Sequence, residues 1–400
     1  MNISLFLTSA SEVLKMNEFE KFNLDEGFIM TLNHLGFKKP TEIQNKSIKH
    51  ILEGKDIIGE SATGSGKTLA FSVGIIEIVE KGKGVQAIVL SPTRELAEQI
   101  RKDLVSYSAH KDLNIISVYG GVSIDRQIYD LQSADVVVAT PGRMLDIINR
   151  RAIRLQEVKV LVIDEADRML DMGFIEDVEK IVSYCPKQRQ TMFFTATVTQ
   201  RLMQLANNYM NNAVKVSANR HVDPSKLKQV YFNVSRNLKL SLLVHLLKQK
   251  KQGLTMVFCN TRRSTDFVIK NLKANKIKAI AIHGGFTQNK REKAIEQFNK
   301  MKDCTLVCTD VAARGLHIKD VEHVINYEIP TDAKDYVHRI GRTARAGNSG
   351  KVFNLIAEQD HENFSKVEYE YSEFNIEMQK RPYIEMIKPL YVQPRRRFRR

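Results

Sequence analysis

Short apolar runs alternate along the chain with longer stretches whose apolar positions recur every three to four residues. "DIIG", "QAIVLS", "NIISVYG", "DVVVAT", "VKVLVID" and "QTMFFTAT" mark the first half, and "LTMVFCN", "IKAIAIHG", "CTLVCTD", "EHVINYE" and "KVFNLIA" repeat the rhythm in the second. Strands spaced by helices predict βαβ units, hence an α/β fold whose mostly parallel sheets are covered on both faces. Val160 to Ile163 is apolar at every position, as a strand buried on both faces requires. Between the halves, "SANRHVDPSKLKQ" is polar, contains a proline and shows no apolar period, so it reads as a linker. The expected organisation is an extension over 1–18, a lobe over 19–217, a linker over 218–227 and a second lobe over 228–372, with a cleft between the lobes. The end of the chain, "RPYIEMIKPLYVQPRRRFRR", is rich in proline and arginine, which predicts a basic, largely disordered tail over 373–400.

Composition narrows the class. At 400 residues the chain is too long for one ordinary core. No apolar run approaches the roughly 18 residues of a membrane span. The start lacks the basic segment of a signal peptide, so a cytoplasmic protein is expected, with Met16 as an alternative first residue. Cys185, Cys259, Cys304 and Cys308 lie in apolar segments without further Cys or His at short spacing; buried reduced thiols are expected rather than disulfides or zinc. The net charge of +15 is uneven: residues 1–218 carry 26 Lys+Arg against 27 Asp+Glu, and residues 219–400 carry 35 against 19. That asymmetry suggests a polyanionic partner such as nucleic acid, with solubility alone as the alternative.

Two segments carry candidate chemistry. After "DIIG" comes Ser61-Ala62-Thr63-Gly64-Ser65-Gly66-Lys67-Thr68, followed by the helix-like "LAFSVGIIEIV". Strand, glycine loop and helix form a phosphate cradle, because small residues let main-chain N–H groups approach phosphate oxygens at a helix N-terminus. Lys67 would reach the β- and γ-phosphates of ATP, and the Thr68 hydroxyl would bind Mg²⁺. Ser61 stands where Gly or Ala usually begins the pattern. The second segment ends the buried strand at Val160 to Ile163 with Asp164, Glu165 and Asp167. Asp164 would hold Mg²⁺ through water, Glu165 would orient or deprotonate the attacking water, and Asp167 is expected to bridge to other motifs of the first lobe. Acids at a helix N-terminus also stabilise its dipole by about 0.3–1 kcal/mol each, which accounts for their sign but not for their pairing with the glycine loop.

From Phe19 to about residue 360 the chain resembles the DEAD-box RNA helicases, on an ordered series of motifs: "GFKKPTEIQ", the glycine loop, "PTRELA", "GG", "TPGR", "DEAD", "TAT", "VFCNTRR", "HGGFTQNKR", "TDVAARG" and "HRIGRTARAG". The resemblance implies two tandem RecA-like lobes and an ATP-dependent RNA helicase. It implies that Gln44 reads adenine with support from Thr41, that Phe19 stacks on the ring, and that Arg94, Gly121, Thr140 and Arg143 meet the RNA backbone. In the second lobe it implies RNA contacts by Gln288, Arg291 and Thr309. Arg342 and Arg345 would be arginine fingers at the γ-phosphate, the alternative being arginines on a solvated helical face. "TAT" stands where the family usually has Ser-Ala-Thr, and keeps the hydroxyl. His317 stands where the family has an aspartate at the ribose; it either weakens ATP binding or simply packs. The resemblance also implies sequence-independent contact with single-stranded or duplex RNA, and leaves open a ribosome-assembly or RNA-degradation complex as partner. An ATP-gated RNA clamp and a DNA-directed ATPase of the same architecture stay open. The arginines at 395–397, 399 and 400 are expected to add non-specific RNA affinity.

Overall fold

The computed structural model describes residues 17–62, 64–218, 227–250, 252–313, 318, 321–343 and 350–391. The chain divides into two compact units, Met1–Arg220 and His221–Arg400. Unit one holds β1 (Ile57–Glu60), β2 (Ala87–Leu90), β3 (Ile115–Val118), β4 (Val136–Ala139), β5 (Val160–Asp164), β6 (Gln190–Thr195) and β7 (Val214–Ser217). They form one sheet in the order β3-β4-β2-β5-β6-β1-β7. Unit two holds β8 (Leu227–Asn233), β9 (Leu254–Cys259), β10 (Ala279–Ile282), β11 (Cys304–Thr309), β12 (His323–Asn326), β13 (Gly350–Ile356) and β14 (Ile376–Met378). Its order is β10-β11-β9-β12-β13-β8-β14, and neighbours in both sheets run parallel.

The apolar runs behave as two-faced strands. Along β5, Val160 and Val162 join one core cluster while Leu161 and Ile163 join the other. β2 divides in the same way, with Ala87 and Val89 on one face and Ile88 and Leu90 on the other. Successive side chains of a strand point to opposite faces, so a run without polar positions needs helices on both sides of the sheet. Unit two repeats this: Met256 and Phe258 of β9 enter one cluster, Val257 and Cys259 the other. All four cysteines are buried free thiols. Among the described residues no helix is long and apolar enough to cross a membrane.

Three strands escape the apolar pattern. β7 is short and half-exposed, while β8 mixes polar and apolar positions and begins at Leu227, which the sequence placed in the linker. β14 lies in the segment expected to be disordered, yet it pairs with β8 through Ile376 and Gln229. The expectation of disorder fails over 373–391. Ile384 is buried in the unit-two core, and Ile387 N–H donates to Ser241 Oγ at 2.9 Å. The Asn271 amide then clamps Leu390, accepting from its N–H at 2.8 Å and donating to its carbonyl at 3.0 Å. Two isoleucines and one asparagine outweigh the proline-rich composition, because each ordered contact forms with a distant helix that composition cannot register. The arginines at 395–400 lie outside the described residues.

Candidate functional site

Parallel register brings the C-terminal ends of β1, β6 and β5 level, pairing Glu60 with Thr195 and Asp164 with Phe194. The glycine loop leaves β1 here, and Lys67 opens the helix Lys67–Ile78. Lys67 Nζ donates to the Ser61 carbonyl at 2.8 Å, closing the loop on itself. Ser61 Oγ lies 2.7 Å from Ser65 Oγ, so the serine at the first position adds a cross-loop hydrogen bond. Gly66 has φ of +93°, and a Cβ there would run into the Gln44 amide; both facts require glycine. Gln44 Nε2 donates to the Gly66 carbonyl at 3.0 Å, while its Oε1 accepts from Thr41 N–H at 2.8 Å. Gln44 and Thr41 therefore brace the loop directly. Ala62 and Thr68 are half-buried and Gly64 is exposed, with φ of +81°. Thr63 lies outside the described residues.

The acids divide their work. Asp164 is buried; desolvation lifts its carboxyl to about 7, against the pull of nearby Lys67. Glu165 takes the left-handed conformation, with φ of +51°, and its Oε2 accepts from Arg168 Nη1 at 3.1 Å. A non-glycine residue there marks backbone held against its preference. Asp167 Oδ2 accepts from Thr197 N–H and from Thr197 Oγ1, both at 3.0 Å. This is the bridge expected of Asp167, and it reaches the "TAT" segment. Thr195 Oγ1 donates to the Thr197 carbonyl at 2.8 Å, so the hydroxyl retained at this position is used.

One residue expected at the adenine site is placed in the core. Phe19 is fully buried, in a cluster with Phe28, Leu32, Leu69 and Val73, and offers no face for stacking. The short turn Glu20–Phe22 carries the chain over it, and Phe22 is the half-buried aromatic of that turn. An apolar ring beside a ready core is stabilised more by full burial, by about 1.5–3 kcal/mol, than by waiting at the surface.

The expected strand-binding residues of unit one converge. Arg94 opens the helix Arg94–Tyr107, and its guanidinium lies over Gly120 and Gly121, where a Cβ on Gly121 would overlap it. Arg143 donates through both terminal nitrogens to the Val122 carbonyl at 3.2 Å and through Nη1 to Gln127 Oε1 at 2.6 Å. Arg143 is thus bonded to, and Arg94 packed against, one loop, Gly120–Val122. Thr140 caps the helix Pro141–Asn149 without using its side chain for the cap.

Unit two builds a similar arrangement. Arg262 opens the helix Arg262–Ala274, and a Cβ on Gly284 would stand 2.9 Å from its Nη2. His283 Nε2 sits 3.0 Å from Asp266 Oδ1, and Gly285 N–H donates to His283 Nδ1 at 3.1 Å. Arg291 Nη2 donates to the Ala312 carbonyl at 3.4 Å, tying its helix to the turn after β11, which ends at the buried Thr309. Gln288 begins the helix Gln288–Lys300. Arg339 is the hub of the unit. It pairs with both Asp310 oxygens at 2.6 Å, and donates to Asn326 Oδ1 at 3.0 Å, Asn260 Oδ1 at 2.8 Å and the Glu328 carbonyl at 2.6 Å. Arg342 is also buried, which removes the reading of a solvated helical face for Arg342. Arg345 and His317 lie outside the described residues.

Residues 41–205 match the model of the DEAD/DEAH box helicase family, and residues 238–347 match the helicase conserved C-terminal domain. A Methanocaldococcus jannaschii protein named "Probable ATP-dependent RNA helicase" is 40% identical over 358 residues, 89% of this chain and 96% of that protein. The chain belongs to the DEAD-box helicase family. ATP-dependent RNA helicase CshA of Listeria monocytogenes is 42% identical over 345 residues, 85% of this chain; this DEAD-box chain spans 66% of that relative's length. Saccharomyces cerevisiae Dbp5 bound to RNA and ADP BeF3 superposes with a TM-score of 0.82 at 27% identity, covering 91% of this chain and 96% of that one.

Arg168, Arg262, Asp310 and Arg339 of this DEAD-box protein make contacts beside the candidate site residues and were not singled out from the sequence. Asp310 and Arg339 act through partners from other elements, which spacing does not register, whereas Arg168 pairs locally with Glu165, three residues before it. The proximity of Arg94 and Arg262 to glycine pairs could have been sought in the matching order "PTR…GG" and "NTR…GG".

Proposed function

We propose that this protein is an ATP-dependent RNA helicase that hydrolyses ATP when RNA binds and locally opens short duplexes. The observation that carries this reading is the bridge from Asp167 to Thr197. It joins the acidic end of β5 to the "TAT" end of β6, beside the glycine loop at the end of β1. A nucleotide sensed at one strand end is thereby linked to the neighbouring segment by hydrogen bonds to a charged group, each worth about 1.5–3 kcal/mol.

In this reading the loop at 61–68 binds the phosphates, Lys67 neutralises the β- and γ-phosphates, and Gln44 and Thr41 read adenine with the bonding capacity their internal contacts leave. Thr68 and Asp164 would hold Mg²⁺. The donors are hydroxyl and carboxylate oxygens, which suit a hard divalent cation, and a cation beside the buried Asp164 would favour its ionised form. When bound, the ion supplies charge neutralisation on the phosphates. Glu165, held by Arg168, orients and deprotonates the attacking water. Arg342 and Arg345 are assigned to the γ-phosphate on the family resemblance, as is His317 to the ribose. Arg94, Gly121, Thr140, Arg143, Gln288, Arg291 and Thr309 are assigned to the RNA backbone, which gives little base specificity.

ATP hydrolysis and strand displacement measured together, with RNA or DNA oligomers, test the reading in the native chain and in Glu165→Gln. Hydrolysis stimulated by RNA and lost in the variant, with duplex opening, is expected. Hydrolysis without strand displacement would make the protein a clamp, and stimulation by DNA alone would make it a DNA-directed ATPase.

A further inference from the structure

The two sheets share one strand order, position by position, so β8 occupies in unit two the place that β1 occupies in unit one. The helix Lys239–Gln249 follows β8 as the helix Lys67–Ile78 follows β1, and both begin with lysine. Here the likeness ends. The loop 234–238 contains no glycine, and Lys239 is buried in an ion pair with Asp360 and lies 5.4 Å over the Tyr327 ring. A triphosphate cradle needs main-chain N–H groups at close approach and a lysine free to meet phosphate; neither is present.

A groove of about 800 Å³ nevertheless opens at this position. Arg236, Arg263, Phe267 and Tyr391 line it, opposed by Glu328 and Glu358. Glu328 is already engaged, accepting from Asn260 N–H at 2.6 Å and from Ser264 Oγ at 2.8 Å. Arg236 and Arg263 are exposed and form no ion pair with a described residue. Arg263 and Phe267 stand one helical turn apart, so they share a face. Arg262, between Thr261 and Arg263 in the chain, packs instead on Gly284, so the groove and the expected strand-binding segment flank the same helix start.

The outer wall comes from the C-terminal strap. Lys270 Nζ donates to the Tyr391 carbonyl at 2.6 Å, and the Tyr391 ring lies 5.7 Å from that of Phe267 while remaining largely exposed. The strap falls beyond residues 238–347, the part matched by the C-terminal helicase domain. In sequence it leads directly to the arginines at 395–397, 399 and 400.

We propose that this groove binds a short single-stranded segment of the RNA that continues past the strand-binding motifs. Arg236 and Arg263 meet its phosphates, and Tyr391 offers a stacking face. Guanidinium groups interleaved with aromatic rings suit single-stranded nucleic acid of any sequence. The proposal rests on the helicase reading above.

The test measures binding of the full chain, with a non-hydrolysable ATP analogue, to a short uridine oligomer that ends at the strand-binding motifs and to a longer one. The native chain should bind the longer oligomer more tightly. Arg236→Ala should reduce the salt slope for the longer oligomer by about 0.7, the share of one phosphate contact on a single strand. Tyr391→Ala should weaken it about tenfold through lost stacking, at unchanged slope. Affinity for the short oligomer should not move in either variant. No length advantage in the native chain, or an advantage untouched by both substitutions, would overturn the proposal; the latter is the outcome expected if a protein partner occupies the groove. RNA-stimulated ATP hydrolysis with the short oligomer separates the two levels: its absence sinks the helicase reading, whereas its presence without a length advantage sinks the groove alone.

Discussion

Asp167 Oδ2 accepts two hydrogen bonds from Thr197, one from the main-chain N–H and one from the hydroxyl, both at 3.0 Å. Thirty residues separate the partners in sequence, and adjacent strands bring them together. Thr197→Val keeps the shape and removes the hydroxyl, leaving a buried carboxylate with one donor fewer. Unit one should lose about 1.5–3 kcal/mol of stability, read from the urea midpoint, and RNA stimulation of hydrolysis should weaken. An unchanged midpoint would mean that water replaces the hydroxyl at no cost.

Arg168 holds Glu165 at 3.1 Å, and both side chains are shielded from solvent. Arg168→Met should leave ATP affinity intact and reduce kcat about tenfold or more, since charged hydrogen bonds are worth about 1.5–3 kcal/mol and each 1.4 kcal/mol is a factor of about ten. Single-turnover hydrolysis at saturating ATP and RNA reads this directly. An equal rate would show that the base needs no such restraint.

Gly121 has φ of +87°, and a Cβ there would overlap the Arg94 guanidinium. Gly121→Ala should therefore cost about 1–2 kcal/mol in backbone strain and displace Arg94. RNA affinity should fall while ATP affinity measured without RNA holds. A parallel loss of both would place this loop in the nucleotide site instead.

Arg339→Lys preserves charge but cannot bridge both Asp310 oxygens while reaching Asn260 and Asn326. Breaking such a buried network typically costs about 3–5 kcal/mol. The unit-two unfolding transition should shift strongly and the unit-one transition should not, as differential scanning calorimetry would show.

His323 opens β12, stacked on Phe353 with ring centroids 6.0 Å apart, and burial with Lys250 and Lys351 nearby pushes its imidazole down to about 4. The unfolded chain binds a proton near the ordinary value of 6.5, the folded chain only near 4. Stability from this group is therefore present above pH 6.5 and lost as pH falls towards 4. His323→Phe should flatten the acid limb of the stability curve. A limb that stays as steep would assign the acid sensitivity to other groups.

Much of this site was legible in one dimension because its chemistry is local. The glycine loop, the acids after β5 and the arginines that follow the helix Ala333–Ile340 each need their residue types at short spacing, so the segment itself suggests the role. Strand positions were equally legible where a sheet covered on both faces demands unbroken apolar runs, as at 87–90 and 160–163. β7, β8 and β14, at or near one edge of their sheets, lack that demand and were missed.

What only the tertiary structure decided is which segment ends meet. Phe19 reads as a surface ring until the helices at Glu26–His34 and Lys67–Ile78 enclose it. Arg339 reads as one arginine among several until four elements converge on its guanidinium. The segment 381–391 reads as disordered until Asn271 clamps it. Periodicity and motif spacing are properties of neighbours along the chain; burial and long-range hydrogen bonds belong to residues far apart in it, and those select the arrangement.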